Sequence, residues 1–300
     1  MILIRCELYS KILQNKKLID LVGAPFTVKQ FYSEEYEREY DVFVIQSNKI
    51  KIVLKKAIDQ NEINSYKLLE FYEKSIVPKI YFIEKEEGNI WIAMEYIDEK
   101  KSPLDKSSVE LLVKKLANFH SFYGINDQGL SNIKKWKKRE DEEIDKLMDD
   151  DITLQYIETI KKSQKILSNT KITFTHGDLI PLNVVVSNND DVKLIDWETG
   201  RKGPYILDLG RLLGDFNKTT TWINESWEKD IIKTYYDSIN QEIFKLTYER
   251  FLLDYECAKL DNYLRIVCAH KTRNWDRTKW YELNLNQLIK SVGKLEIILK

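Results

Sequence analysis

The stretch THGDLIPLNVVVSNNDDVKLIDWETG, residues 175–200, decides how this chain is interpreted. Two short β-rich runs, NVVV and VKLIDW, flank a polar turn at residues 188–191, a pattern that predicts a β-hairpin. Asp178 precedes the hairpin, Asn183 begins its first run, and Asp196 stands near the end of its second run. Carboxylates at the ends of apolar runs are costly to bury without partners, so these residues indicate a chemical site. The structural alternative is that Asp178 caps a turn, Asn183 lies in a loop and Asp196 ends a strand.

Composition places the chain among ordinary globular proteins of one or two domains. Of its 300 residues, 43% are hydrophobic and 12% are aromatic, which is enough to bury one large core or two modest ones. With 47 basic and 48 acidic side chains, the net charge is -1. Charge therefore gives no support for nucleic acid or an anionic membrane as the main partner, and we expect neither.

The amino-terminal stretch and the cysteines both favour a cytoplasmic location. Arg5, Glu7 and Lys11 interrupt the apolar residues of MILIRCELYSKILQNKKLID, whereas a signal peptide has a continuous hydrophobic region. No stretch of about eighteen apolar residues occurs, so no membrane span is expected. The 3 cysteines are odd in number and form no CxxC pair, which argues against a disulfide framework and against a structural zinc site.

Strand patterns dominate the first hundred residues. The runs FTVKQFY, DVFVIQ and KIKIVLKKA predict three strands of an antiparallel meander, with a turn at residues 47–49. EINSYKLLEFYEK has apolar residues at nearly helical spacing. VPKIYFIEKEEGNIWIAMEYI predicts a further hairpin that turns between Glu86 and Asn89. We therefore expect a small antiparallel sheet with one main helix.

After Ile97 helical patterns dominate. Ser107 and Glu110 form a capping-box pattern ahead of a helix whose apolar face includes His120. The basic run KKWKKRE at residues 134–140 is followed at once by EDEEID, which favours a solvated helix with internal ion pairs over a nucleic-acid patch. The expected fold class is α+β, with a first domain at residues 1–96 and a second, mostly helical domain at residues 97–300.

The motif HGDLxxxN, followed by the predicted hairpin and Asp196, resembles the catalytic and metal-binding loops of the kinase-like phosphotransferases. Gly177 after the histidine and the DWE ending are closer to the aminoglycoside phosphotransferase and choline kinase group than to protein kinases, which have Arg after the histidine. The resemblance covers about residues 25–285. It implies a bilobal protein-kinase-like fold, with a small antiparallel-sheet N-lobe that binds nucleotide and a larger, mostly helical C-lobe that binds the substrate.

The same resemblance implies a Mg²⁺-dependent kinase that moves the γ-phosphate of ATP or GTP to a hydroxyl of a small molecule. The HGD and DWE motifs favour the aminoglycoside branch, while amino-alcohols and sugars stay open as acceptors. Asp178 would accept the hydroxyl proton or orient the hydroxyl, and Asn183 and Asp196 would bind Mg²⁺ through hard oxygen ligands. These side chains are expected to meet Lys55 in one cleft.

A lysine on the third strand of the meander is expected to reach the α- and β-phosphates. Lys55 is the first choice, because Ile52 and Leu54 fall on the opposite, core-facing side of the strand. Lys56 stays an alternative. Glu62, in the first turn of the following helix, resembles the glutamate of the family that pairs with this lysine. On its own, Glu62 would be only a favourable partner of the helix dipole.

Three further positions are expected to contact the nucleotide. The loop FYSEEYEREYD contains no glycine, so Ser33 would offer its hydroxyl and nearby amides to phosphate in place of a glycine-rich turn. The resemblance implies that Glu95 and Ile97 lie at the junction of the lobes and that their backbone groups bind the adenine edge. The acidic residues of the loop leave the choice between ATP and GTP open.

Other polar and aromatic residues are expected to support the site. Asp208, in GPYILDLGRLLGDF, resembles the family's carboxylate that accepts backbone N–H groups of the catalytic loop. His176 is expected to brace that loop, and His120 to be a hydrogen-bonded core histidine. The acceptor pocket is expected to draw on some of the aromatic residues near the carboxyl terminus, which include Trp222, Trp227, Trp275 and Trp280.

Two other functions stay open. A pseudokinase or nucleotide-binding regulator would keep the fold without transfer, and the glycine-free loop favours it. A metal hydrolase built on Asp178 and Asp196 would leave Lys55 and Glu62 without a role. The expected partners are a small-molecule acceptor and a nucleoside triphosphate, and the chain is expected to act as a monomer or a homodimer.

Overall fold

The computed structural model describes residues 2–5, 11–34, 37–72, 76–99, 104–125, 129–147, 152–214, 224–272 and 279–300. Trp222, Trp275 and the side chain of Trp280 lie outside the described residues. The chain forms two compact units, Met1–Lys100 with Val185–Glu198, and Lys101–Val184 with Thr199–Lys300. The domain boundary expected at residues 96–97 stays a prediction, because compact grouping does not establish which parts of a chain fold independently.

The first unit is built around one six-stranded antiparallel sheet with the spatial order β1-β2-β3-β4-β6-β5. The predicted meander is formed by β2 to β4, and the predicted hairpin by β5 and β6. Glu87 and Gly88 turn this hairpin with φ angles of 51° and 81°, the geometry that two-residue hairpin turns favour. The strands are β1 Ile2–Arg5, β2 Phe26–Ser33, β3 Arg38–Ser47, β4 Lys51–Lys56, β5 Ile80–Glu86 and β6 Asn89–Glu95.

Alternation along the strands buries one face of this sheet. Ile45, Ile52 and Leu54 are fully buried, in one cluster with Phe43 and Trp91. Burying an aliphatic or aromatic side chain of this size contributes about 1.5–3 kcal/mol. Because successive side chains of a strand point to opposite faces, burial of Ile52 and Leu54 directs Lys55 to the other face, as predicted.

Two helices accompany the sheet, α1 (Lys16–Val22) and α2 (Gln60–Leu69). The latter is the predicted main helix. Strand β1 and helix α1 were not predicted. Each is short, and α1 buries only Leu18 and Val22, so neither leaves a periodic pattern long enough to recognise.

The second unit is mainly helical, as predicted. Strands β7 (Ile172–Thr175) and β10 (Arg201–Pro204) pair antiparallel on either side of the opening motif, and β10 was not predicted. Between these two strands in the sequence, β8 (Val184–Val186) and β9 (Val192–Leu194) form the predicted hairpin, which groups with the first unit from Val185 onward. The helices are α3 Lys106–Ile125, α4 Asp141–Asp145, α5 Leu154–Ser168, α6 Leu207–Leu213, α7 Glu228–Ser238, α8 Gln241–Phe244, α9 Tyr248–Thr272 and α10 Lys279–Ile298. Among the described helices, none has the length and apolar character needed to cross a membrane.

Helix α3 begins earlier than its capping-box pattern predicts. Asp105 Oδ1 accepts hydrogen bonds from the Ser108 backbone N–H at 2.8 Å and from the Ser107 hydroxyl at 2.7 Å. The cap is therefore Asp105, and the capping role expected for Ser107 is wrong. Asp and Ser are about equally good caps, so the residue types alone do not choose between the two positions.

The basic run at residues 134–140 is extended, and the solvated helix expected there is wrong. The Trp136 N–H donates to the Lys202 carbonyl and the Lys202 N–H donates to the Lys134 carbonyl, both at 2.8 Å, so the run pairs with β10. In a helix, the backbone N–H and C=O groups of this run would hydrogen-bond to one another. Here the Trp136 N–H and the Lys134 carbonyl hydrogen-bond to Lys202 of β10 instead. Of the expected ion pairs, Arg139 and Glu143 form one at 3.8 Å.

Candidate active site

A cluster of three charged side chains, one lysine and two carboxylates, lies in the first unit. Lys55 Nζ lies 2.7 Å from Glu62 Oε1 and 2.6 Å from Asp196 Oδ1. The Glu62 side chain is fully buried and that of Lys55 is 12% exposed, whereas the Asp196 side chain is 40% exposed. The structure thus brings together three of the residues selected from the sequence, one each from β4, α2 and the loop after β9.

The start of α2 fixes the position of Glu62. Asp59 caps the helix by accepting a hydrogen bond from the Glu62 backbone N–H at 2.9 Å. Glu62 Oε2 accepts a hydrogen bond from the Ile58 backbone N–H at 2.8 Å. The other oxygen, Oε1, contacts Lys55. One oxygen of the Glu62 carboxylate thus binds the backbone at the start of the helix, and the other forms the ion pair.

The loop after β9 fixes the position of Asp196. Asp196 has a φ of 64°, a left-handed conformation that costs about 1–2 kcal/mol for a residue with a side chain. The adjacent Trp197 is fully buried and donates from Nε1 to the Leu194 carbonyl at 3.2 Å. Asn61 of α2 donates to the Glu198 carbonyl at 3.2 Å. Strain of this kind, held in place by surrounding contacts, is typical of functional positions.

The amine of Lys55 is held as a cation. Burial acts to lower the pKa of Lys55, but Tyr66, Asp196 and Glu62 act in the opposite direction and raise that pKa above its ordinary value of 10.5. Burial also raises the pKa of Tyr66, so its hydroxyl is neutral at physiological pH. The two carboxylates therefore stabilise the cation there.

The neighbouring lysine has a different environment. Lys56 Nζ lies 3.6 Å from Asp41, and both side chains are exposed, at 36% and 64%. Exposed pairs of this kind contribute at most about 1 kcal/mol. Lys55, and not Lys56, is the lysine that contacts Glu62 and Asp196.

In the second unit, Gly177 gives the loop of the HGD motif its shape. Its φ is +82°, and a Cβ at this position would lie 2.3 Å from the Thr199 carbonyl oxygen, so only glycine fits. The Asp178 side chain that follows is 41% exposed. Asn183 Nδ2 donates to the Asp178 carbonyl at 2.9 Å, which leaves the amide oxygen of Asn183 available as a ligand.

Arg211, a residue that sequence analysis missed, binds Asp178. Its Nε and Nη2 both lie 3.0 Å from the same oxygen, Asp178 Oδ1, and its Nη1 donates to Asn262 Oδ1 at 3.0 Å. Arg211 stands three residues after Asp208 on α6, a spacing that places both on one face of the helix. That spacing was the available signal, but an arginine near the end of a helix more often indicates a solvated charge.

Asp208 connects α6 to the loop from inside the unit. It is fully buried and accepts hydrogen bonds from the backbone N–H groups of His176 at 2.7 Å and Gly177 at 3.0 Å. His120 Nε2 lies 3.2 Å from Asp208, and His120 Nδ1 lies 2.7 Å from the Tyr235 hydroxyl. Burial acts to raise the pKa of Asp208, but its hydrogen bond and electrostatic interaction with His120, its interaction with His176 and the Gly177 backbone N–H lower that pKa below its ordinary value of 3.8.

His176 and Arg201 hold the backbone of the same loop. His176 is fully buried, and its Nδ1 accepts a long hydrogen bond from the Asp178 N–H at 3.4 Å. The Thr199 hydroxyl donates to the His176 carbonyl at 3.0 Å, and Arg201 Nη2 donates to the Gly177 carbonyl at 2.9 Å. The backbone of the loop that carries Asp178 is therefore held by hydrogen bonds from side chains of Thr199 and Arg201.

The other expected nucleotide contacts lie in the first unit. Ser33 ends β2 and is only 5% exposed, and residues 35 and 36 of the loop that follows lie outside the described part of the chain. Glu95 ends β6, and its backbone N–H donates to the Lys79 carbonyl at 2.8 Å. A backbone contact of Glu95 with a purine would therefore come from its carbonyl. Ile97 follows β6 and is half-buried.

The donor chemistry of two residues fits a hard divalent cation. Asp196 offers a partly exposed carboxylate, and Asn183 an amide oxygen oriented by its Nδ2 hydrogen bond. Mg²⁺ prefers such oxygens and is commonly held by one or two protein ligands together with phosphates. Asp196 belongs to the first unit and Asn183 to the second, so the expected convergence of Lys55, Asp178, Asn183 and Asp196 in one cleft stays a prediction.

Comparison with solved structures identifies the fold. Choline kinase LicA from Streptococcus pneumoniae matches with a TM-score of 0.56 and 18% identity, over 95% of this chain and 98% of that one. An aminoglycoside phosphotransferase from Alicyclobacillus acidocaldarius matches with a TM-score of 0.58 and 13% identity, over 94% and 92%. Amicoumacin kinase, solved with AMP-PNP, Ca²⁺ and Ami, matches with a TM-score of 0.58 and 13% identity, over 92% and 86%. Likeness at such identities shows the fold alone, and the predicted α+β, protein-kinase-like fold is confirmed.

A comparison with family models identifies the family. No curated protein sequence matches the chain. The model of the phosphotransferase enzyme family, APH, matches residues 42–242. That range is about two thirds of the chain and includes the HGD motif, the hairpin and Asp196. The chain therefore belongs to the phosphotransferase enzyme family, as the motif predicted.

Proposed function

We propose that this phosphotransferase moves the γ-phosphoryl group of ATP or GTP to a hydroxyl group of a small molecule. The observation that carries the proposal is the ion pair of buried Lys55 with Glu62 and Asp196 in a chain of this family. A buried cation is tolerated only when it is paired, and Glu62 supplies a permanent partner. Asp196, which is more exposed, is free to exchange part of its contact with Lys55 for a ligand.

Positioning and charge compensation dominate the chemistry of phosphoryl transfer. In the proposed reaction the acceptor oxygen forms a bond to the γ-phosphorus, and the bond from that phosphorus to the bridging oxygen breaks, which releases the nucleoside diphosphate. Asp178 takes the proton of the acceptor hydroxyl. Arg211 binds Oδ1 of Asp178, so Oδ2 is the oxygen that we assign to this proton.

Lys55 is proposed to bind the α- and β-phosphates, with Ser33 near the phosphates and backbone groups of Glu95 and Ile97 at the purine. Mg²⁺, held by Asp196 and Asn183, would neutralise charge on the β- and γ-phosphates. The complex of amicoumacin kinase with AMP-PNP and Ca²⁺ supports a nucleotide and a divalent cation in this fold.

Amino-sugars, amino-alcohols and sugars are the proposed range of acceptors, on the strength of the family and of the HGD and DWE motifs. The cysteine content supports a cytoplasmic location for the activity. His176 and Asp208 support the reaction through the loop backbone and do not touch the substrate.

A second candidate is a pseudokinase or nucleotide-binding regulator. The observation that favours it is the absence of glycine from FYSEEYEREYD, which runs from the end of β2 into β3, because backbone N–H groups approach phosphate most closely at glycine. The retained residues Lys55, Asp178, Asn183 and Asp196 favour transfer.

A two-stage experiment separates the candidates. Thermal-shift titration with ATP or GTP and Mg²⁺ measures nucleotide binding, and a coupled ADP- or GDP-release assay then screens amino-sugars, amino-alcohols, sugars and their phosphates as acceptors. The phosphotransferase shows acceptor-stimulated release. Nucleotide binding without any acceptor-stimulated release would favour the regulator, and release of phosphate from simple esters without nucleotide would favour a hydrolase.

A further inference from the structure

A basic cavity lies in the second unit beside the loop that carries Asp178. Its volume is about 350 Å³, and sites for small molecules commonly measure about 300–1,000 Å³. Of the nine described residues that line it, six are Lys or Arg, two are Glu and one is Trp136. The lining thus carries an excess of positive charge, although the net charge of the whole chain is only -1.

Arg201 joins this cavity to the catalytic loop. Its Nη2 donates to the carbonyl of Gly177, the residue directly before Asp178, at 2.9 Å. Its Nε is buried and has no hydrogen-bond acceptor among the described residues. Burial, and then the charge of Arg265, lowers the pKa of Arg201 to about 10, so the side chain is still a cation at physiological pH. A buried guanidinium whose N–H groups are not all hydrogen-bonded is costly, and an anion bound nearby offsets part of that cost.

Arg265, on α9, lines the same cavity. Burial lowers its pKa, while the carboxylate of Asp261 acts in the opposite direction. Asp261 also acts on Arg201, and its Oδ1 accepts a hydrogen bond from Gln164 Nε2 at 2.9 Å. In the part of the chain that the structure describes, neither Arg201 nor Arg265 forms an ion pair with a carboxylate.

Arg139 lies at a more open part of the cavity. Its side chain is 29% exposed and its Nη1 lies 3.8 Å from Glu143, a long and exposed pair that holds the guanidinium weakly. Its backbone N–H donates to Gln164 Oε1 at 3.0 Å, so the same glutamine orients Asp261 and fixes the chain at Arg139. The extended conformation of residues 134–140, which replaces the expected helix, is what brings this arginine into the lining.

We infer that the acceptor of this kinase carries an anionic group, a phosphate or a carboxylate, which binds in this cavity to Arg139, Arg201 and Arg265. The planar guanidinium group matches both anions through paired hydrogen bonds. Because Arg201 contacts the loop residue before Asp178, an acceptor anchored here by its anion has its hydroxyl groups close to that carboxylate. This inference rests on the proposed transfer reaction, and it departs from the expectation of a cationic, aminoglycoside-like acceptor.

A screen of charge-matched acceptors tests the substrate class. Ribose and ribose 5-phosphate, glucose and glucose 6-phosphate, and glycerol and glycerol 3-phosphate form neutral and anionic pairs, and choline, ethanolamine and kanamycin represent cations. We expect acceptor-stimulated ADP release to be highest with anionic members. Preferred use of the cations or of the neutral members would overturn the inference while leaving the transfer reaction intact.

Variants test the cavity itself. Arg265→Gln and Arg139→Gln each remove one guanidinium from the cavity. Lys229→Gln is the control, because it also removes one positive charge but from an exposed position on α7. For the best anionic acceptor, Arg265→Gln should raise KM by about 30-fold or more, with a smaller change in kcat. Lys229→Gln should leave both constants unchanged, and equal KM values in all three variants would contradict the assignment.

A direct measurement of phosphate binding shows whether the anion site or the proposed transfer reaction is wrong. Inorganic phosphate raises the melting temperature of most proteins by exclusion from their surface, so the difference between variants is the measured quantity. The phosphate-dependent rise should be larger in the natural chain and in Lys229→Gln than in Arg265→Gln and Arg139→Gln. If this difference is present without any transfer, the anion site stands and the proposed reaction fails. If the rise is the same in all four proteins, the anion site fails, whatever acceptor is found.

Discussion

Lys55 and Asp178 are both charged residues whose positions are set by an oppositely charged side chain. Lys55 is held by Glu62 and Asp196, and Asp178 is held through one oxygen by Arg211. In each case one group of the pair stays accessible, Asp196 at 40% exposure and Asp178 at 41%. The fixed partner thus reduces the conformational freedom of each candidate site residue, and such preorganisation is how binding sites gain affinity and rate.

Replacement of Lys55 tests its role at the level of one residue. Lys55→Ala removes the cation assigned to the α- and β-phosphates, and we expect it to weaken ATP binding by about tenfold to a hundredfold, since a hydrogen bond to a charged group contributes about 1.5–3 kcal/mol. Lys56→Ala is the matched control and should change the affinity by less than about twofold. Calorimetric titration with ATP and Mg²⁺ measures both, and an equal loss in the two variants would remove Lys55 from this role.

Single residues in the motif could be selected from the sequence, because the HGD, Asn183 and Asp196 spacing lies within one short stretch and the chemistry of its residue types is specific. The choice of Lys55 followed from alternation along one strand. Arg211 could not be selected in this way, because its contact with Asp178 depends on where α6 packs. The arginines of the basic cavity are distant from one another in the sequence for the same reason, and only the fold brings them together.

At the scale of secondary-structure elements, caps and turns fix the positions of the candidate site residues. The cap of α2 orients Glu62, and the tight loop after β7 orients Asp178. Long elements such as α3 were predictable from their periodicity, whereas β1, α1 and β10 are too short to show a pattern. The run at residues 134–140 was mispredicted because its charges fit an exposed helix, while pairing with β10 satisfies its backbone.

Two glycines with nearly the same φ angle allow the cost of backbone strain to be distinguished from the cost of steric overlap. Gly177 and Gly88 have φ angles of +82° and +81°, but a Cβ at Gly177 meets the Thr199 carbonyl at 2.3 Å and a Cβ at Gly88 meets nothing within 4 Å. Gly88→Ala should therefore lower the free energy of unfolding by about 1–2 kcal/mol, from the backbone conformation alone. Gly177→Ala should cost clearly more in urea denaturation. Equal losses in the two variants would show that the contact with Thr199 is not a constraint.

The cap of α3 can be assigned by the same kind of comparison. Asp105→Ala removes the acceptor of the Ser108 N–H and should lower the free energy of unfolding by about 1 kcal/mol. Ser107→Ala removes only a hydroxyl that donates to Asp105, so its effect should be within about 0.5 kcal/mol. Thermal or urea unfolding measures both variants, and the reverse order would restore the capping box that the sequence pattern suggests.

At the scale of the whole molecule, each of the two compact units carries one half of the expected chemistry. The first holds Lys55, Glu62 and Asp196, and the second holds Asp178, Asn183 and the basic cavity. The α+β class and the sheet-then-helix order were predictable, because the hydrophobic period changes from that of strands to that of helices along the chain. The grouping of Val185–Glu198 with the first unit was not, because it depends on long-range contacts.

Acid stability of the molecule should depend on Asp208. Its folded-state pKa lies below its ordinary value of 3.8, so its stabilising contribution is complete above that value and is lost as the pH falls through the folded pKa. The melting temperature of the natural chain should therefore fall more steeply than that of Asp208→Asn once the pH is lowered below 3.8, and the two curves should run in parallel above that pH. Parallel curves below that pH as well would show that Asp208 does not stabilise the fold as an ionised carboxylate.

The central claim, that Asp178 takes the proton of an acceptor hydroxyl in transfer from a bound nucleotide, is tested most directly by acceptor-stimulated ADP release in Asp178→Asn. The substitution keeps the size of the side chain and removes its basicity, so release should fall by about a hundredfold or more while the ATP dissociation constant changes little. Release at the rate of the natural chain, with ATP bound equally well, would contradict the account.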